Sequence, residues 1–253
     1  MWGLPRLAVA GLAGPDALLA VVALALTAGC VRLGVWQLDR LAERRARNAD
    51  IRAVRERPTI ALTGLGLAAD SARQRRMLAR GVLDYAHERV WTARSYQGAP
   101  GVHLITPLRL PDGAGVLVDR GWVPSFDARR VEQGAFREAT DTVEVQGLGL
   151  LAPRARGDVN PRTLGDSLPY PVLPFVVQWV PPTIPPGRPP AAPAPGRSPV
   201  RIAPSALDDG PHLIYAVQWF SFAAIAIVGT TILLTRDVKR GRHAATSRTD
   251  VAP

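Results

Sequence analysis

LIYAVQWFSFAAIAIVGTTILL, residues 213–234, decides the architecture: it holds no ionisable side chain except Tyr215. At ~1.5 Å per residue a helix of this length reaches roughly 33 Å, enough to cross a ~30 Å hydrocarbon core. A second apolar run lies near the other end of the chain. Ala17 to Val31 is unbroken apolar or small sequence, and it continues through Leu33-Gly34-Val35-Trp36 if Arg32 snorkels to the interface. Pro15 and Asp16 suit the first turn of that helix. Two spans therefore bracket one domain.

The first run has a rival reading. Thr27-Ala28-Gly29-Cys30 comes close to a lipoprotein cleavage site and contains the chain's single cysteine. Against processing, Arg6 is the only charged side chain available to an n-region, and the leucine falls one residue early. A retained anchor is the expectation.

Charges at the flanks suggest an orientation. After residue 234 come Arg236, Lys239, Arg240, Arg242 and Arg248 against Asp237 and Asp250, the signature of a cytoplasmic tail. Arg40, Arg44, Arg45 and Arg47 after the first run argue the other way, although Asp39, Glu43 and Asp50 interrupt them. The tail is given the greater weight. The expected layout is a cytoplasmic tail at 1–16, a transmembrane helix at 17–37 and a β-rich extracytoplasmic domain at 38–180. A proline-rich linker at 181–211, a second transmembrane helix at 212–234 and a cytoplasmic basic tail at 235–253 complete it. The implied location is a bacterial cytoplasmic membrane, with both termini inside and the lipid bilayer as a permanent partner.

The net charge is +10, and Lys239 is the only lysine among 31 basic residues. Such a bias fits a GC-rich genome better than a selected polyanion surface. No arginine-rich window lacks acids and no nucleic-acid motif occurs, so no nucleic-acid partner is expected. A lone cysteine excludes an internal disulfide framework and a cysteine-cluster metal site. His87, His103, His212 and His243 form no zinc-type spacing, and hydrolase, Walker and paired-carboxylate signatures are missing. The chain does not read as an enzyme.

Leu38 to Arg55 reads as an outward extension of the first helix, with Glu43 and Arg47 at i,i+4. Beyond Pro58, short apolar runs alternate with turn signals. Thr59–Leu65 is one run, and Arg80–Leu83 with Val90–Tyr96 are expected to form a pair. Val102–Leu110 and Val116–Val123 flank Pro111-Asp112-Gly113, a hairpin signal. Thr142–Leu151 and Phe175–Val180 complete the set. Six or seven short strands without amphipathic helices between them predict a mainly antiparallel barrel or sandwich. Pro181–Pro204 lacks periodicity and reads as a polyproline-type linker.

The chemistry concentrates where the second span begins. At 100° per residue His212, Tyr215, Gln218, Trp219 and Phe222 share a ~120° arc, with Ala223, Ala226 and Gly229 prolonging or bordering it. Two readings stand side by side. One is an interfacial aromatic belt with a helix-packing seam. The other is a ligand face, in which neutral His212 offers a ring nitrogen to a haem iron.

Four elements carry a resemblance to a known family. Leu33-Gly34-Val35-Trp36-Gln37-Leu38-Asp39-Arg40 resembles the Leu-Gly-x-Trp-Gln-x-x-Arg element of the Surfeit locus protein 1 family. Gly98-Ala99-Pro100-Gly101 with Thr106-Pro107-Leu108 is similar to its Pro-Gly and Thr-Pro-Leu segments. Val116 to Pro124, containing Asp119-Arg120-Gly121-Trp122, resembles its Arg-Gly-Trp-Val-Pro strand, and His212 to Phe220 its closing His-x-x-Tyr-Ala-x-Gln-Trp-Phe. The resemblance implies an assembly factor for haem–copper cytochrome c oxidase that assists haem a insertion into the catalytic subunit. It implies transient haem a, with His212 as axial ligand, and haem a synthase as a further partner. On this reading Tyr215, Gln218, Trp219, Trp36 and Gln37 line the cofactor face, and Arg120 pairs with a propionate. Bland roles remain open: Trp36 and Gln37 as interfacial anchors, and Arg120 paired to a carboxylate. The functional alternative is a two-span scaffold that binds envelope proteins without cofactor.

Overall fold

The computed structural model describes residues 15–151, 159–181 and 199–249, with side-chain surroundings described for 17–150, 159–181 and 199–236. Most of the expected N-terminal tail, the heart of the proline-rich stretch and the basic side chains after Arg236 lie outside the described residues. Two units emerge. One holds the chain up to Asn48 together with the chain from Leu207 onward; the other is Ala49–Ala206.

The first unit is a pair of long helices. α1 (Pro15–Glu56) runs without interruption through the apolar segment, Trp36 and the arginine-rich extension. It stops just before Arg57-Pro58, where proline disfavours helix in the residue preceding it. α4 (His212–Thr249) starts as soon as Gly210-Pro211 is passed, and the Tyr215 amide donates to the Pro211 carbonyl at 3.1 Å. Each helix contains a stretch long and apolar enough to cross a membrane.

Close approach at one glycine defines how the pair packs. A Cβ on Gly34 would stand 2.7 Å from the Phe220 ring, so only the missing side chain admits that ring. Leu41, Ala216 and Ala223 are buried in the same unit. Beyond the apolar part, Arg44 and Asn48 bond Asp208 and Arg45 bonds Asp209.

The second unit is built from β1 (Ile60–Leu62), β2 (Arg76–Leu83), β3 (Arg89–Tyr96), β4 (Ala99–Arg109), β5 (Gly115–Pro124), β6 (Thr142–Leu151) and β7 (Val172–Trp179). Short helices α2 (Ala69–Ala72) and α3 (Pro161–Gly165) complete it. Strand order is β1-β2-β6-β7-β5-β4-β3, and a further β2–β4 pairing closes β2, β6, β7, β5 and β4 into a barrel. Every pairing in that ring is antiparallel except the parallel β5–β7 pair. This is a small Greek-key barrel, an architecture shared by OB-folds.

The Pro111-Asp112-Gly113 hairpin forms as its sequence predicts. Gly113 takes φ +88°, the Leu110 amide donates to the Ala114 carbonyl at 2.7 Å, and Asp112 Oδ1 accepts from the Ala114 amide. The expected pairing of Arg80–Leu83 with Val90–Tyr96 is corrected: β2 pairs with β6 and β4, and β3 with β4. Chain proximity suggested the local pair, but Gly81 lets β2 close onto β4, since a Cβ there would meet the Arg109 carbonyl oxygen at 2.1 Å. Leu108, Val116, Val118, Val145, Leu173, Phe175 and Val177 fill the main core. Ile105, Leu117 and Val176 pack with Leu164 of α3 in a second cluster, leaving β5 buried on both faces.

Candidate functional site

In the helix pair, two of the residues singled out from sequence meet directly. His212 opens α4, Gln37 lies in the Trp-Gln segment of α1, and 2.9 Å separates His212 Nδ1 from Gln37 Oε1. An amide oxygen can only accept, so Nδ1 carries the proton and donates. In the neutral tautomer Nε2 then holds the free lone pair. Orienting one ring nitrogen through a hydrogen bond to the other is the usual arrangement behind a metal-ligating histidine. Gln37 is almost enclosed and His212 half-buried.

The rest of the α4 stripe divides. Ala216 and Ala223 are buried, whereas Tyr215, Gln218 and Phe222 are exposed and Trp219 is half-buried. Trp219 and Phe222 meet edge to face with ring centroids 5.9 Å apart. Ser221, Thr231 and Thr235 each donate to a carbonyl one turn back, which satisfies their hydroxyls within the helix. Of the small residues, Ala226 is half-buried, and a Cβ on Gly229 would meet nothing within 4 Å. Trp36 is exposed, with the Arg40 guanidinium 5.7 Å from its ring centre.

Arg120, in the barrel unit, is fully enclosed. Its Nη1 donates to Glu88 at 2.7 Å and its Nη2 to Glu138 at 2.9 Å and to the Phe136 carbonyl. Thr106 donates to the same Glu88 carboxylate, and the guanidinium lies 5.0 Å from the Tyr85 ring centre. Glu138 is shared with Arg201, which stacks on Trp179 at 3.8 Å. Burial pushes the Glu138 carboxyl up, but the charge and hydrogen bond of Arg201, joined by Arg120, outweigh it and leave the group below its ordinary range. The carboxylate reading of Arg120 is thus realised in the structure, with both terminal nitrogens engaged.

Its neighbour Gly121 has a separate task. At φ +119°, with the Val200 carbonyl oxygen 2.3 Å from where a Cβ would lie, it lets the returning chain press against β5. Trp122 and Val200 exchange backbone hydrogen bonds of 3.0 and 2.7 Å, and Gln178 donates to the Ile202 carbonyl.

Sequence reasoning passed over His103. Register places it opposite Trp122, and a bulge at Leu104/Ile105 brings Asp119 into reach. Both Asp119 oxygens lie near His103 Nδ1, at 3.0 and 2.9 Å, and the Trp91 ring meets the imidazole edge-on. Sixteen residues separate the partners, so only strand register could have revealed the pair.

The class defined is a Greek-key barrel flanked in sequence by two helices long and apolar enough to cross a membrane, with a glutamine-oriented histidine where those helices meet. The model of the SURF1 family matches residues 24–224, well over half of the chain, and the protein belongs to that family. It is a family of cytochrome c oxidase assembly factors, not a catalytic one. No curated protein matches the chain.

Proposed function

We propose that the protein assists haem a insertion into the catalytic subunit of cytochrome c oxidase, with His212 as a transient axial ligand to the cargo. One observation carries this reading: the 2.9 Å contact from Gln37 Oε1 to His212 Nδ1, which leaves Nε2 as the free donor. The two residues come from opposite ends of the chain, so the ligand is prepared only when both helices are paired. Tyr215, Trp219 and Phe222 supply an aromatic face on the same helix against which a flat, apolar macrocycle packs. The exposed Gln218 amide offers a donor and an acceptor on that face. Bound haem a would supply an iron centre open to a ring nitrogen; the chain's own work is to keep His212 Nδ1–H donating to Gln37 Oε1, so that Nε2 is the nitrogen left to bind. Arg120 has no part in the proposed site, because its guanidinium is committed to Glu88 and Glu138.

The proposed setting is a bacterial cytoplasmic membrane. Both long helices cross it, the basic residues from Arg236 onward stay inside, and the barrel stands on the outer side. The catalytic subunit is the direct partner, and haem a synthase the source of the cargo. The test is purification of the full chain co-expressed with haem a synthesis. Wild type should show a Soret band; His212→Ala should lose most of it while inserting normally. Equal haem in both would discard the ligand assignment, and no band in either would leave the cofactor-free scaffold.

A further inference from the structure

The His103–Asp119 pair belongs to the barrel unit and has no part in the site proposed above. Its imidazole is aimed by a carboxylate. Nδ1 lies 3.0 and 2.9 Å from the two Asp119 oxygens, and Asp119 Oδ1 is itself held by the Gly121 amide at 3.0 Å. An ionised carboxylate only accepts, so Nδ1 donates, and in the neutral tautomer Nε2 keeps the lone pair. Asp119 is buried, whereas the imidazole keeps 12% of its side-chain surface exposed. Among the described residues Nε2 has no hydrogen-bond partner and is not sealed from solvent.

The surroundings of this imidazole are aromatic and cationic. Trp91 is its register partner on β3, with ring centroids 5.9 Å apart and planes 73° from parallel. In a regular strand, residues three apart face opposite sides of the sheet. The irregularity between Trp91 and Arg94, with Ala93 at φ +56°, puts both on the His103 face. The Ala93 amide fixes that irregularity by donating to the Ala128 carbonyl at 2.7 Å. The Arg94 guanidinium then lies 3.9 Å over Trp91, its Nε bonded to the Thr92 carbonyl. Its terminal nitrogens form no ion pair among the described residues.

This set of groups selects a ligand class. A bare metal ion such as zinc takes three or four protein ligands, and no group of three His, Cys, Asp or Glu side chains occurs among the described residues. A metal already held by a macrocycle needs only an axial nitrogen. A flat apolar ring system suits the indole, and peripheral carboxylates suit a free guanidinium. A histidine whose other nitrogen donates to a carboxylate is the common form of a metal-ligating imidazole.

We infer that His103 Nε2 is an axial ligand point for an iron porphyrin on the barrel unit, with Trp91 against the macrocycle and Arg94 on a propionate. That the porphyrin is haem a rests on the reading given above. The walls come from one sheet face, so the site fills under added haem and empties during purification.

The test titrates purified, haem-free full chain with haemin, followed by Soret absorbance. Wild type should bind one equivalent at each histidine, and His212→Ala should keep the barrel equivalent. The double variant His212→Ala, His103→Ala should show no histidine-ligated spectrum. In the His212→Ala background, Asp119→Asn should weaken haemin binding about tenfold or more. It should also lower the iron–histidine stretching frequency of the reduced complex, which a merely structural pair would not move. That shift decides the matter even where His103→Ala destabilises the barrel. Histidine-ligated haemin bound to His212→Ala equally with and without His103 would overturn the inference, as would an unmoved stretch in Asp119→Asn. Binding lost altogether in His212→Ala sinks the barrel site alone; binding that needs His103 but not His212 sinks the His212 assignment alone.

Discussion

Replacing Arg120 with methionine separates a structural role from a ligand role. The guanidinium is fully enclosed and answers two carboxylates, Glu88 and Glu138, which are almost and largely buried. Glu138 keeps Arg201 in the variant, but Glu88 keeps only the Thr106 hydroxyl. One carboxylate is thus stranded in the barrel, and breaking a buried pair in this way costs about 3–5 kcal/mol. For a unit of this size, each kcal/mol moves the melting point by roughly 2–4 °C, so a fall of about 6–20 °C is expected. Tryptophan fluorescence reads it, because Trp91, Trp122 and Trp179 all belong to the barrel unit. The double variant Arg120→Met, Glu88→Leu should recover much of the loss, since removing both partners removes the stranded charge. A single variant melting within about 3 °C of wild type, close to 1 kcal/mol, would refute the reasoning. Lost haem with unchanged melting would instead restore the propionate role.

Gln37→Leu should retain insertion but loosen the imidazole, lowering haem retention and shifting the Soret maximum; an unchanged spectrum would show that the 2.9 Å contact does not orient the ligand. Gly121→Ala forces a side chain into a positive-φ site against the Val200 carbonyl, so hydrogen exchange at the Trp122 and Val200 amides should accelerate, while equal protection would contradict it. Because the folded Glu138 carboxyl titrates below its unfolded value of 4.5, its contribution is present above that pH and fades as pH falls through the lower folded value. Glu138→Gln should flatten the stability–pH curve in that acidic window, and an unaltered curve would place the acid sensitivity elsewhere.

The hairpin after β4 and the limits of β6 were legible because local chemistry sets them: a Pro-Asp-Gly turn, and an alternating run between turn residues. The helix pair followed from length and hydropathy. Its packing seam did not. Both faces of α4 are largely apolar, so helical periodicity could not tell the Ala216–Ala223 side from the Tyr215–Gln218–Phe222 side. The Gly34–Phe220 contact needs the crossing geometry of two helices far apart in sequence. Partnerships inside the barrel were hidden for the same reason. Glu88 and Glu138 lie 32 and 18 residues from Arg120, and only the closed register brings β4, β5 and the segments just before β3 and β6 to one point. His212 and Gln37 were each visible as unusual polar residues at a membrane boundary, but their hydrogen bond spans 175 residues and belongs to the folded pair.

The central claim is that this chain acts before the oxidase is complete, at haem a loading. Its most direct test is the haem a content per catalytic subunit, measured on subunit purified from a strain lacking the gene and from one with the gene restored. The account predicts subunit that is present but underloaded, with oxidase activity reduced in proportion. Restoration by the wild-type gene should be complete, and restoration by His212→Ala poor. Full haem a loading in the deletion strain would contradict the account.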